Sequence, residues 1–142
     1  MQATDSNMSC IFSLYSEPTL AINKLLEGSL KGIRPYIEVH DDDGIENRLW
    51  RVTDPDVIAR TAMAMQNKTL FIADGHHRYE TALNYRNMLR EASGNYTGAE
   101  PYNYVMMYFS NMDDHGLTIW PTHRVVHGLH GFSPAGFLEK CR

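Results

Sequence analysis

A chain of 142 residues, 43% of them hydrophobic and 21% charged, is long and apolar enough to bury a core, so residues 1–142 read as a single globular domain. The net charge of −4 and pI near 5.9 argue against a general nucleic-acid binder, which is ordinarily basic, but leave room for a local basic site. No apolar run is long enough for a bilayer, no signal-peptide pattern is present, and Cys10 and Cys141 form no CxxC or metal-finger spacing, so the expected setting is cytoplasmic and reducing, without a disulfide framework.

In chain order, Cys10 to Ser16 (CIFSLYS) reads as a buried strand. Glu17-Pro18 breaks it, and Thr19 to Glu27 reads as a short amphipathic helix ending at Gly28. Tyr36 to His40 and Arg48 to Val52 flank DDDGIEN, where Asp43-Gly44 signals a hairpin turn. Asp54-Pro55, a cap followed by proline, opens a helix with Val57, Ile58, Ala62 and Met65 on one side. Lys68 to Ala73 reads as a short strand and Arg78 to Ala92 as a helix with Tyr79, Ala82, Leu83 and Leu89 as its buried stripe. After a polar loop from Ser93 to Pro101, Tyr102 to Ser110 and Leu117 to Trp120 read as a second hairpin across MDDHG, and Pro121 to His130 fits no single element. Ser133 and Pro134 cap a last helix. The order predicts an α+β fold, a mixed sheet with two hairpins and flanking helices. The abrupt opening at MQATDSN and a final helix of about two turns are read as the ends of a central fragment of a longer protein.

The chemistry concentrates in FIADGHHRYETA, Phe71 to Ala82. Two histidines and an arginine gather where a helix begins, the positive end of its dipole and a poor place for cations. Either nearby acids neutralise them or an anion belongs there. Strand, Asp74-Gly75, then helix suits an anion: unpaired backbone N–H groups point outward and Gly75 permits close approach. Arg78 adds a planar fork that matches phosphate oxygens, and His76 and His77 donate hydrogen bonds or shuttle protons. Asp74 has three available roles: orienting a histidine, holding a phosphate-bound metal, or taking a proton from a hydroxyl. The competing reading is that Asp74 and Glu80 pair with Arg78 and Gly75 is only a turn; it explains the arginine well and two adjacent histidines poorly.

A second basic pair, His123 and Arg124, follows a predicted strand end in TIWPTHRVVHGLH and is assigned to the same phosphate site. His123 and His127 have i,i+4 metal-pair spacing with His130 nearby, but no HExxH glutamate accompanies them, so surface histidines are the preferred reading and no metal site is assigned. Asp41, Asp42 and Asp43 match a calcium loop in composition only and read as a solvated hairpin tip. There is no GxSxG, and neither cysteine is expected beside the motif, so nucleophile candidates are poor.

IADGHHRYETALNYR closely resembles the signature of a widespread bacterial family described as a domain of unknown function, and NMSCIFSLY, DDDGIENRLWRVTDPDVI, YNYVMMYFSNMDD and PTHRVVHGL fit it as well, so the resemblance covers essentially the whole chain. That family resembles the ParB/sulfiredoxin superfamily, in which a strand–turn–helix with a Gly-x-His/Arg-Arg type core binds nucleotide phosphates and members with an Asp-Gly-x-His-Arg core include kinases of free serine. The resemblance implies a ParB/sulfiredoxin-like core, puts Asp74, His76 and His77 in catalytic positions, and puts Gly75, His76, His77 and Arg78 on the phosphate turn. It also implies ATP or ADP with Mg²⁺ as cofactors. His76 stands where sulfiredoxin carries its reactive cysteine, so sulfinic-acid reduction does not follow. The catalytic base of the serine kinases, an acid from their N-terminal part, has no assignable counterpart, so a 142-residue fragment alone is expected to be inactive.

The leading expectation is phosphoryl transfer from ATP or ADP to a small hydroxylated, serine-like metabolite, chemistry that rests on positioning and charge neutralisation. The alternatives are a non-catalytic nucleotide-sensing or partner-binding module and a metal-dependent nuclease, the last disfavoured by the acidic pI. Nucleotide and metabolite are the expected partners, without nucleic acid or membrane, and a homo-oligomer is compatible with the sequence.

Overall fold

The computed structural model describes residues 3–141. Among the described residues, five strands and four helices follow in the order β1 (Ile11–Tyr15), α1 (Ala21–Leu30), β2 (Ile37–His40), β3 (Glu46–Leu49), α2 (Pro55–Met65), β4 (Phe71–Asp74), α3 (His76–Ser93), β5 (Met107–Asn111) and α4 (Pro134–Lys140), with a 3-10 turn at Pro101–Asn103. The α+β class and the mixed sheet hold. β1 lies at the centre of a three-stranded sheet ordered β4-β1-β5, antiparallel to β4 and parallel to β5, while β2 and β3 pair in a separate antiparallel ribbon.

β1 is central because its odd positions carry what the interior accepts. Ile11, Ser13 and Tyr15 are buried, and Phe12 and Leu14 are half-buried on the other side. With Ile22 of α1, Val57 of α2 and Ala82 of α3, these residues form the core. α2 begins where Asp54 predicts: its carboxylate accepts from Asp56 N at 2.9 Å and Val57 N at 3.4 Å, with proline at the first helical position. α3 ends at Gly94, whose φ of 67° closes the helix with an N–H bond to the Arg90 carbonyl.

The second predicted hairpin does not form. Tyr102 and Asn103 sit in the 3-10 turn, residues 117–120 are not a strand, and Met107–Asn111 pairs in parallel with β1. Its assumed tip instead folds on itself, with Asp114 Oδ1 accepting from Gly116 N at 2.8 Å and Asp114 N donating to the Asn111 carbonyl at 3.1 Å. Local turn chemistry in MDDHG resembles a hairpin tip, but β1 offers β5 a longer, better-buried partner than residues 117–120. α1 also runs past Gly28 to Leu30.

Before the 3-10 turn, the Glu100 carboxylate closes a loop by accepting from Thr97 N (2.6 Å), Thr97 Oγ1 (2.9 Å), Gly98 N (2.9 Å) and Asn103 Nδ2 (2.8 Å). The Thr97 amide contributes most to lowering its pKa from 4.5 to about 2. A depressed carboxylate stabilises fully above its unfolded pKa and loses that contribution as pH falls through its folded one. The protection factors of the Thr97 and Gly98 amides, their exchange rates taken relative to the unprotected rate at each pH, should therefore stay constant from neutral pH down to 4.5 and fall between there and about 2. Protection that fades at neutral pH would show that another group holds the loop.

Candidate functional site

Asp74 is the last residue of β4, Gly75 is the N-cap of α3, and His76, His77 and Arg78 form its first turn. Gly75 adopts φ 90°, the left-handed region that glycine enters without a Cβ penalty. No side chain caps the helix. The first intrahelical donor is Tyr79 N, bonded to the Gly75 carbonyl at 3.0 Å, so the amides of His76, His77 and Arg78 find no acceptor among the described residues. His76 and His77 are exposed, and His77 Nδ1 lies 3.5 Å from Glu80 Oε2, a solvent-facing contact of little energetic weight.

Arg78 departs from the sequence reading. Its guanidinium is already engaged: Nη2 donates to Asp74 Oδ2 at 2.5 Å, and Nη1 donates to Ser9 Oγ at 3.0 Å and to the Cys10 carbonyl. The side chain folds back over the turn so closely that a Cβ on Gly75 would stand 2.9 Å from its Cζ, Nε and Nη2. Arg78 thus ties the end of β4 and the start of α3 to the segment leading into β1. This is the local acid pairing weighed against the phosphate fork, reinforced by a contact 68 residues away that sequence spacing does not reveal. The dipole conflict is resolved because the charge leans onto Asp74 and a carbonyl. A cavity of ≈ 250 Å³ opens beside the turn, lined by Ser6, Asn7, Ser9, His77, Arg78 and Thr81 among others. The hydroxyls and amide of SNMS, Ser6 to Ser9, join the site, which their sequence spacing from ADGHHR does not announce.

The Gly75→Ala substitution follows directly. Ala must adopt a left-handed φ and displace the guanidinium, costing about 1–2 kcal/mol from the backbone alone. A lowered thermal midpoint is the expected measurement, and an unchanged one would mean the turn relaxes freely.

His123 and Arg124 lie in the exposed irregular stretch at residues 118–129, not at a strand end, and neither lines the cavity beside His77. Among the described residues, no group of three or more His, Cys, Asp or Glu side chains converges to hold a metal. Two carboxylates stand at the turn: Asp74, 73% exposed with Oδ2 on Arg78, and Glu80 beside His77. That fits a Mg²⁺ carried in by nucleotide phosphates, which needs only one or two protein carboxylates, and does not fit a protein-built metal cage.

The fold and this turn define an α+β domain whose central sheet presents an uncapped helix start beside two exposed histidines. The chain belongs to the family described as protein of unknown function (DUF1015), whose model matches residues 1–142. No curated protein and no solved structure gives a significant match. No helix among the described residues is long and apolar enough to cross a membrane.

Proposed function

We propose that the start of α3 is an anion-binding turn that takes the phosphates of ATP or ADP, in a cytoplasmic domain of ParB/sulfiredoxin-like type whose chemistry is phosphoryl transfer to a small hydroxylated metabolite. The observation that carries this is the set of three consecutive amides, His76 to Arg78, without acceptors among the described residues and beside a largely apolar cavity into which Ser6, Asn7, Ser9 and Thr81 bring polar groups. Helix-start amides and the dipole favour negative charge, and His76 and His77 supply neutralising donors where a phosphate would rest. Arg78 holds the turn in shape, with Asp74 as its partner. Asp74's remaining oxygen is the acceptor available for a hydroxyl proton or a nucleotide-borne Mg²⁺, which would neutralise phosphate charge when bound.

The test pairs a calorimetric titration of ATP, ADP and pyrophosphate with mass spectrometry of a serine-containing metabolite pool incubated with the full-length parent protein, nucleotide and Mg²⁺. Binding with a phosphorylated product supports the whole reading. Binding without product supports a nucleotide-sensing module, the reading that two solvent-exposed histidines also fit. Absence of binding to all three anions overturns the phosphate turn.

A further inference from the structure

A second, larger cavity of ≈ 680 Å³ runs along the parallel strands β1 and β5, from Phe12 and Tyr108 to Tyr15 and Asn111 at their carboxyl ends. Its floor is a hydrogen-bonded set. Asn111, 3% exposed, accepts from Glu17 N at 3.1 Å and donates to the Glu17 carbonyl at 2.8 Å. Asn23 Nδ2 donates to Asp114 Oδ2 at 2.8 Å, and the Tyr15 hydroxyl donates to Asn23 Oδ1 at 3.4 Å. The walls are aromatic: Phe12 and Tyr108, with ring centroids 5.4 Å apart, and Trp50. The charged side chains lining the cavity, Glu27 and Asp114, are both acidic, and no Lys, Arg or His joins them. Asp74 pairs with Phe12, three residues before Tyr15, so roughly 10 Å of strand separates the α3 turn from this floor.

We infer that this cavity binds a small organic cation, an ammonium ion carried on a short hydrocarbon or hydroxylated chain. Two carboxylates with no basic side chain in the lining attract a cation, the electron-rich aromatic rings of Phe12, Tyr108 and Trp50 supply surface for its hydrocarbon part, and the Tyr15 hydroxyl oxygen offers a hydrogen bond to a polar tail. Two carboxylates amid aromatic rings suit an ammonium better than a bare metal ion, which needs more oxygen ligands. The inference is independent of the phosphate turn and stands or falls separately.

The chain has two tryptophans, so Trp120→Phe leaves Trp50 as a sole reporter inside the cavity. Choline, ethanolamine and the neutral carbon isostere of choline are titrated against Trp50 emission and the Asn23 side-chain amide resonance. The expected result is saturable binding of at least one of the two amines, with the neutral isostere about tenfold weaker. Glu27→Gln, at an exposed helical position, and Asp114→Asn should each weaken binding of that amine severalfold, with the glutamine variant deciding the matter if Asp114→Asn does not fold. No saturable response to either amine, equal response to the neutral isostere, or an affinity indifferent to the loss of Glu27 charge overturns the inference.

Discussion

Asn111→Ala is expected to destabilise the protein by about 2–4 kcal/mol, because it strands several buried polar groups at once. The side chain accepts from Glu17 N and Asp113 N and donates to the Glu17 carbonyl and Asn23 Oδ1. It therefore joins the end of β5 to the chain leaving β1. Glu17 in turn starts α1: its carboxylate accepts from Thr19 Oγ1 at 2.6 Å, Thr19 N at 3.3 Å and Ala21 N at 2.5 Å. The Thr19 hydroxyl bond leads the lowering of its pKa, against an opposing effect of burial. A fall in thermal midpoint of roughly 6–15 °C would express the loss of Asn111. Asn111→Asp should recover little, since a carboxylate cannot donate to the Glu17 carbonyl and adds charge near Glu17 and Asp114. A melt indifferent to Asn111→Ala would mean water replaces all four bonds and the strand ends are held by apolar contacts alone.

Arg78→Ala carries the second large effect. The spacing of ADGHHR alone predicts a phosphate fork whose removal costs little stability. With the guanidinium bonded to Asp74, Ser9 and the Cys10 carbonyl, removal should instead cost about 1–2 kcal/mol, reduced from the usual value for charged hydrogen bonds by its 36% exposure. Arg78→Lys should restore part of the melting temperature, because an ammonium reaches Asp74 but cannot hold carboxylate and strand simultaneously. Nucleotide affinity should fall less than with the fork reading, since the amides of His76 and His77 remain. A stable Arg78→Ala protein that has lost nucleotide binding would return Arg78 to direct phosphate contact and release it from its bracing role.

Much of the fold was legible because its signals are local. Asp54-Pro55 states its own helix start, CIFSLYS its buried strand, and DDDGIEN its hairpin, where Asp41 Oδ1 accepts from Asp43 N and Ile45 N. The strand–turn–helix of ADGHHR was legible for the same reason. Pairing across the chain was not. Nothing near Met107 says that its strand runs parallel to β1, about 96 residues earlier, so a turn-rich MDDHG reads locally as a hairpin tip. The same gap hid the Arg78 contacts with Ser9 and Cys10, and it hid the cavity formed by Tyr15, Asn23, Asn111 and Asp114. Asparagine and aspartate after a strand read as turn formers in sequence; only burial reveals that Asn111 is the floor of a cavity.

The phosphate turn is tested most directly by amide resonances. In a nitrogen-15 spectrum of the protein titrated with ADP, and separately with pyrophosphate, a phosphate seated at the start of α3 takes hydrogen bonds from His76, His77 and Arg78 N–H groups. The expected result is that these three amides show the largest downfield shifts and saturate together with either anion, while residues of the β2–β3 ribbon do not move. Shifts confined to other residues, or a spectrum unchanged at saturating ADP, would contradict the assignment of phosphate to this helix start.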